Sequence, residues 1–303
     1  MAFHPSDFEH PLDRSARQNL ESIPLLRPAV EKYLKHFDER AVRNWQMSDM
    51  LRLGPRQYPR IYRLLPPICE AYGIEEPELY LMAGPVNAMT MGHARPSITL
   101  YSGLVESMQD DEIQAVLAHE CGHIVGEHVL LLQMARVINT ASGYNLFTKV
   151  LSFPLHRALM AWMRMSELSA DRAAAAFMGS GEEMTRTMLR IVGIPSYALP
   201  SDYSLELFAE QAVEAETLRE SRWDRLLEQH YLPQSTHPLV SARVLELKKW
   251  VDTEAFRRLS AIALSARTAS RCETCGHHVE ASWKFCHKCG RRLGAEELGA
   301  VRA

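Results

Sequence analysis

No run of about eighteen apolar residues free of charge occurs in the 303-residue chain, so no membrane-spanning helix is expected. The longest uncharged run, from Leu79 to Ala94, carries Gly84, Pro85, Asn87 and Gly92, which suit strands and turns. The stretch from Val129 to Met163 is apolar, but Arg136, Lys149 and Arg157 interrupt it, which leaves a peripheral membrane contact open there. Charge of one sign is also missing. Thirty-four Lys and Arg against 37 Asp and Glu leave a net charge of −3 and a pI near 6.5. That balance excludes a protein whose main task is to coat nucleic acid or an anionic surface. Six cysteines are too few to staple a chain of this length, and four of them cluster in two C-x-x-C pairs, a metal pattern of reducing compartments. The first residues, Met1 to Asp7, lack the basic and apolar stretches of a secretion signal. Together these readings predict a cytoplasmic protein. No internal repeat and no low-complexity tract is found.

What is present is an ordinary globular balance, 47 % hydrophobic and 23 % charged. Residues 1 to about 74 read as helical. Asp13 is expected to cap a helix that stops before Pro24, and Pro28 and Pro59 to open two more, with Pro66-Pro67 kinking or breaking the last. Leu79 to Met82, Val86 to Met89 and Ile98 to Tyr101 read as short strands of a small sheet. Helical periodicity returns at Asp110 and is expected to run to about Asn139. A loop at Ser142-Gly143, a break at Pro154 and a helix from about Arg157 to Met178 follow, then further helices to about Ala266.

Inside the long predicted helix lies His119-Glu120-Cys121-Gly122-His123. Four residues advance a helix by about 400°, so both imidazoles leave the same face one turn apart and can share one zinc ion. Glu120 then lies beside the ion, placed to take the proton of a water. The bland reading is a core helix with two satisfied histidines. A hydrolytic zinc site needs a third protein ligand and an open position. Glu167 and Asp171, four apart on the next helix, face one way: Glu167 can supply the ligand, and Asp171 can hold a ligating histidine by its other ring nitrogen. Two acids on a solvated face are the alternative, but Ala170 and Ala173 to Ala176 predict close packing against another helix. The 44 residues from His123 to Glu167 let the second helix return antiparallel.

The ordered series resembles the HtpX-type and CAAX-prenyl-protease-type zinc metallopeptidases, gluzincins of metallopeptidase family forty-eight. The matching residues are His10-Pro11-Leu12-Asp13, Gln57-Tyr58-Pro59, Val86-Asn87-Ala88, Ile98-Thr99-Leu100, Ser102-Gly103-Leu104, the H-E-x-x-H helix, Ser166 to Arg172, Thr236-His237-Pro238 and Arg243. The resemblance covers about residues 8 to 255. It implies an α+β, mostly helical gluzincin fold with a small sheet. It implies His119, His123 and Glu167 as zinc ligands, and Glu120 as general base and later proton donor. Asp171 is implied behind a ligand, paired with Arg243, and His237 at the rim, stabilising an oxyanion. The activity implied is endopeptidase cleavage of proteins or peptides. The substrate is expected to lie extended against an edge strand around Val86 to Met91 or Ile98 to Tyr101. Many relatives carry transmembrane helices beside the catalytic helix, and none is read here.

Cys272-x2-Cys275-x10-Cys286-x2-Cys289 is a four-thiolate pattern resembling a minimal zinc ribbon. Gly276 and Gly290 follow the second cysteine of each pair, where a positive φ is often needed. So short a segment cannot fold on burial alone, which makes a second, structural zinc the expected staple. Two disulfides or free thiols are the other readings. The expected division is a metallopeptidase domain over 1–268, made of a helical N-terminal segment (1–74) and a catalytic core (75–268), and a ribbon with its tail over 269–303. The ribbon is expected to recruit a protein partner or to fold over the cleft as a gate, and nucleic acid is not expected as a partner. The rival function is a gated or vestigial peptidase-like scaffold whose ribbon binds partners.

Overall fold

The computed structural model describes residues 2–24, 26–33, 39–134, 146–192, 194, 204–217, 240–280 and 282–294. Six helices and one strand come first: α1 (Pro5–Phe8), α2 (Pro11–Glu21), α3 (Leu26–Tyr33), α4 (Glu39–Asp49), β1 (Leu51–Leu53), α5 (Pro59–Tyr62) and α6 (Leu65–Tyr72). Strands β2 (Glu78–Met82), β3 (Ala88–Met91) and β4 (Ser97–Tyr101) follow, then α7 (Ser102–Ser107) and α8 (Asp110–Val125). Further helices among the described residues are α9 (Leu146–Met178), α10 (Gly181–Ile191), α11 (Leu205–Thr217), α12 (Val240–Val251) and α13 (Glu254–Thr268). The fold is α+β and mostly helical, as expected.

The sheet has four strands rather than three, in the order β1-β2-β4-β3. Strands β2 and β4 run parallel, with Glu78 opposite Ser97, and β1 and β3 pair antiparallel on either side. Central β4 is covered on both faces: Ile98 and Leu100 enter the main core, while Ser97 accepts a hydrogen bond of 2.9 Å from Gln46 of α4. Strand β3 lies at the edge, two residues later than the sequence suggests.

Helix α8 starts where acidic residues meet the positive end of the helix dipole. Gln109 and Glu112 form a reciprocal capping box, with Asp110 and Asp111 beside them. Its expected run to Asn139 is cut short. The helix ends at Val125, Gly126 caps it, and Glu127 follows with φ of +57° before helix resumes over 129–134. Helix α9 departs from expectation the other way and runs through Pro154. It stops at Met178 before Gly179, whose φ is +74°. The Ser142-Gly143 loop lies outside the described residues.

Helices α8 and α9 pack against each other at the centre, and small residues permit their approach. A Cβ on Gly122 would stand 3.1 Å from Ala170 Cα and 3.2 Å from Ala173 Cβ. Ala170 and Ala173 to Ala176 are fully buried, as their clustering suggests.

Near the N-terminus the proline readings hold only in some places. Pro59 opens α5, and Pro66 and Pro67 sit in the first turn of α6 after a break at Arg63-Leu64. Asp13 does not cap α2. His10 does, its ring accepting from the Leu12 amide, which leaves Asp13 in the first turn and wholly buried. Helix α3 opens at Leu26, two residues ahead of Pro28.

Candidate metal centre

His119 and His123 project from the buried stretch of α8 and meet Glu167 of α9, and Glu120 is buried between them in the chain. His119 Nε2 lies 3.5 Å from Glu167 Oε2, and His123 Nε2 lies 3.4 Å from Glu167 Oε1. Donor atoms about 2.1 Å from one tetrahedral ion stand about 3.4 Å apart, so these separations are those of ligand edges. The charges fit as well. Glu120, Glu167 and Asp171 are buried with one buried guanidinium, that of Arg243. With neutral histidines the cluster carries two negative charges that a dication would neutralise.

Asp171 Oδ1 lies 3.0 Å from His119 Nδ1. A proton at Nδ1 leaves the Nε2 lone pair facing Glu167. Arg243 of α12 donates to both oxygens of Asp171, at 2.7 and 2.5 Å, and its Nη1 lies 3.4 Å from Glu167 Oε2. Burial alone would raise the Asp171 pKa, but Arg243 outweighs it and holds the carboxyl below its ordinary value. Burial also works against charge on His119, yet Asp171 and Glu167 override it and raise its pKa to about 10. Burial wins at His123 and lowers it. Without metal, a proton held on His119 competes for the donor site.

Glu120 is 8 % exposed, and its Oε2 accepts a 2.5 Å hydrogen bond from Thr90 of β3. The sequence reading missed Thr90, since nothing local marks one threonine on an edge strand. It also missed His128, whose Nδ1 lies 3.0 Å from His123 Nδ1, and the role of Asp13 behind it. His237 lies outside the described residues.

The four C-terminal cysteines also converge, with Sγ separations of 3.7 Å for Cys272 and Cys289 and 3.5 Å for Cys275 and Cys286. Thiolates about 2.3 Å from one tetrahedral ion would stand about 3.8 Å apart. His277 and His287 point to other partners: His277 pairs with Glu76, and His287 stacks on Trp283 at 3.7 Å. The segment is docked rather than loosely tethered. Tyr62 of α5 joins Cys272, Cys275, Val279, Cys286 and Leu293 in one buried cluster. Glu76 takes the Tyr62 hydroxyl at 2.5 Å and pairs with His277, and Arg271 donates to Glu70 of α6 at 2.6 Å. Gly276, at φ of +72°, sits so close to the Arg63 carbonyl that a Cβ would stand 2.2 Å from its oxygen.

The model of peptidase family M48 matches residues 55–251, about two thirds of the chain. The chain belongs to peptidase family M48. This M48 chain is 28 % identical over 259 residues to the plastoglobule-localized metallopeptidase 48 of Arabidopsis thaliana, a match covering 84 % of this chain and 74 % of the plant protein. A Protease HtpX homolog of Leptothrix cholodnii is 32 % identical over 160 residues, covering 42 % of this chain and 55 % of that protein. A Protease HtpX homolog of Janthinobacterium is 28 % identical over 167 residues, covering 44 % and 57 %. The chain thus spans only a little over half the length of the HtpX homologues it matches. No solved structure matches it. Among the described residues, no helix of this metallopeptidase is long and apolar enough to cross a membrane.

Proposed function

We propose that this M48 metallopeptidase is a zinc-dependent endopeptidase acting on proteins or peptides. The observation that carries the reading is the convergence of His119, His123 and Glu167 beside a carboxylate outside that donor set, Glu120. His119, His123 and Glu167 would hold the zinc, and Asp171, itself held by Arg243, orients His119. Bound there, zinc supplies Lewis acidity toward water and the scissile carbonyl. Glu120 accepts the proton of the attacking water and returns it to the leaving amine. Thr90 donates to one Glu120 oxygen and so leaves the other to work. Thr90 also ties Glu120 to β3, which ends the order of the sheet's strands among the described residues. An extended substrate adding to that edge would pass beside Glu120.

The four cysteines would hold a second, structural zinc in a ribbon over about 269–294, following a peptidase domain that ends near 268. Its docking on α5 and α6 favours a bracing role over that of a gate. The scaffold alternative is not favoured, because the donor set and the carboxylate are all in place.

The test compares zinc-loaded wild type with Glu120→Gln on a diverse peptide mixture, with new termini read by mass spectrometry. The reading expects internal cleavage by wild type alone, at equal zinc content. Equal cleavage by both refutes Glu120 as the base. No cleavage by either favours the scaffold.

A further inference from the structure

The two candidate histidines are not supported alike. Behind His119 stands a carboxylate in direct contact, Asp171. Behind His123 stands a second imidazole, His128, with Nδ1 3.0 Å from Nδ1. Two ring nitrogens at that distance share a single proton. The other side of His128 decides where the proton sits. Its Nε2 lies 3.0 Å from Asp13 Oδ2, an oxygen that also accepts 2.5 Å from the Ser169 hydroxyl. Facing a carboxylate, His128 Nε2 carries its proton, so in the neutral ring Nδ1 is a bare acceptor. The shared proton therefore belongs to His123 Nδ1, which leaves His123 Nε2 as a lone pair toward Glu167.

We propose that His128, backed by Asp13, is a positioning residue for the metal ligand His123, which makes helix α2 a working element of the metal centre. This rests on the zinc reading of the site given above. His128 is 1 % and Asp13 0 % exposed. A buried carboxylate is costly unless its partners are fixed, and here they are fixed by α9 and by the turn after α8. Ser169 also accepts from the His10 amide at 2.9 Å, which pins the start of α2 to α9. Trp162 closes the far side of His128, edge to face at 5.8 Å. The turn at Gly126-Glu127 brings His128 back over His123: on an uninterrupted helix, a residue five positions later lies about 140° round the axis.

The test is zinc affinity at the site that His119→Ala abolishes, measured by chelator competition, alongside melting of the metal-free protein. Three variants are compared with wild type. His128→Leu removes the acceptor and is expected to weaken zinc roughly 10- to 100-fold. His128→Asn sets an amide oxygen where Nδ1 stood and is expected to recover most of that loss. Asp13→Ala, which frees His128 to turn, is expected to fall between the two. If His128→Leu does not fold, the order of His128→Asn and Asp13→Ala against wild type carries the test. Unchanged zinc affinity in His128→Leu, or the same weakening in His128→Asn as in His128→Leu, overturns the proposal. So does lower melting in all three variants at wild-type affinity, which is the mark of a structural role only. Wild type with no His119-dependent zinc overturns the zinc reading itself, and this inference with it.

Discussion

Replacing Arg243 by Met should destabilise the metal-free protein far more than loss of a surface charge does. The Arg243 and Asp171 side chains are 6 % and 2 % exposed and share two hydrogen bonds, with Glu167 also within 3.4 Å of the guanidinium. Methionine fills much of the same volume, so the cavity contribution is small. What remains is Asp171 buried beside a second carboxylate, with its bidentate partner gone and only the proton held on His119 set against the two charges. Breaking one side of such a pair costs about 3–5 kcal/mol. For a chain of this size that corresponds to a fall of roughly 6–15 °C in melting temperature. The assay is urea unfolding in chelator, followed by circular dichroism, for Arg243→Met, Asp171→Asn and the double variant. The double variant should recover some of the loss, because the stranded charge is gone. A loss below about 1 kcal/mol, the range of exposed pairs, would refute the reasoning. So would further destabilisation on adding Asp171→Asn.

Thr90→Val keeps the shape but removes the hydroxyl that Glu120 accepts; kcat on a peptide should fall about tenfold or more at little-changed KM, in steady-state kinetics. Gly122→Val should cost about 1–3 kcal/mol and weaken zinc binding in chelator titration, since its Cβ already meets Ala170 at 3.1 Å and the rest must push α9 away. Glu76 is half-buried, which raises its pKa, but His277 and Tyr62 outweigh this and hold it below its ordinary 4.5. A depressed folded pKa stabilises above the unfolded value and is lost as pH falls through the folded one. The melting difference between wild type and Glu76→Gln should therefore be steady above pH 4.5 and shrink below it; a difference that grows with acid would contradict the assignment.

The centre of the site was legible because it lies on two helices at spacings of four. His119 and His123 repeat on α8, Glu167 and Asp171 on α9, and the alanine run marks where the two helices touch. Thr90, Asp13 and His128 were not legible, for separate reasons. Thr90 reaches Glu120 across 30 residues, through a sheet edge that only the tertiary fold creates. Asp13 looked like a cap, but His10 takes that role and turns Asp13 inward. His128 falls in what reads as one long helix, where its azimuth would carry it off the ligand face; the Gly126-Glu127 turn reverses that. Strand β1 is only three residues long, too short for a period to show. Pro154 failed as a breaker because α9 continues through it.

The close approach of α8 and α9 changes what the two x positions of H-E-x-x-H mean here. Around the helix axis, residues 119 to 123 leave no side facing water. His119 and His123 meet Glu167, Glu120 meets β3, and Cys121 enters the core beside Cys69. Gly122 is the surface on which α9 rests. The motif is usually written with two free letters. In this chain the pentapeptide behaves as a five-letter word, and a substitution scan across it should find no silent position: two changes would be read as lost metal, one as lost chemistry and two as lost packing.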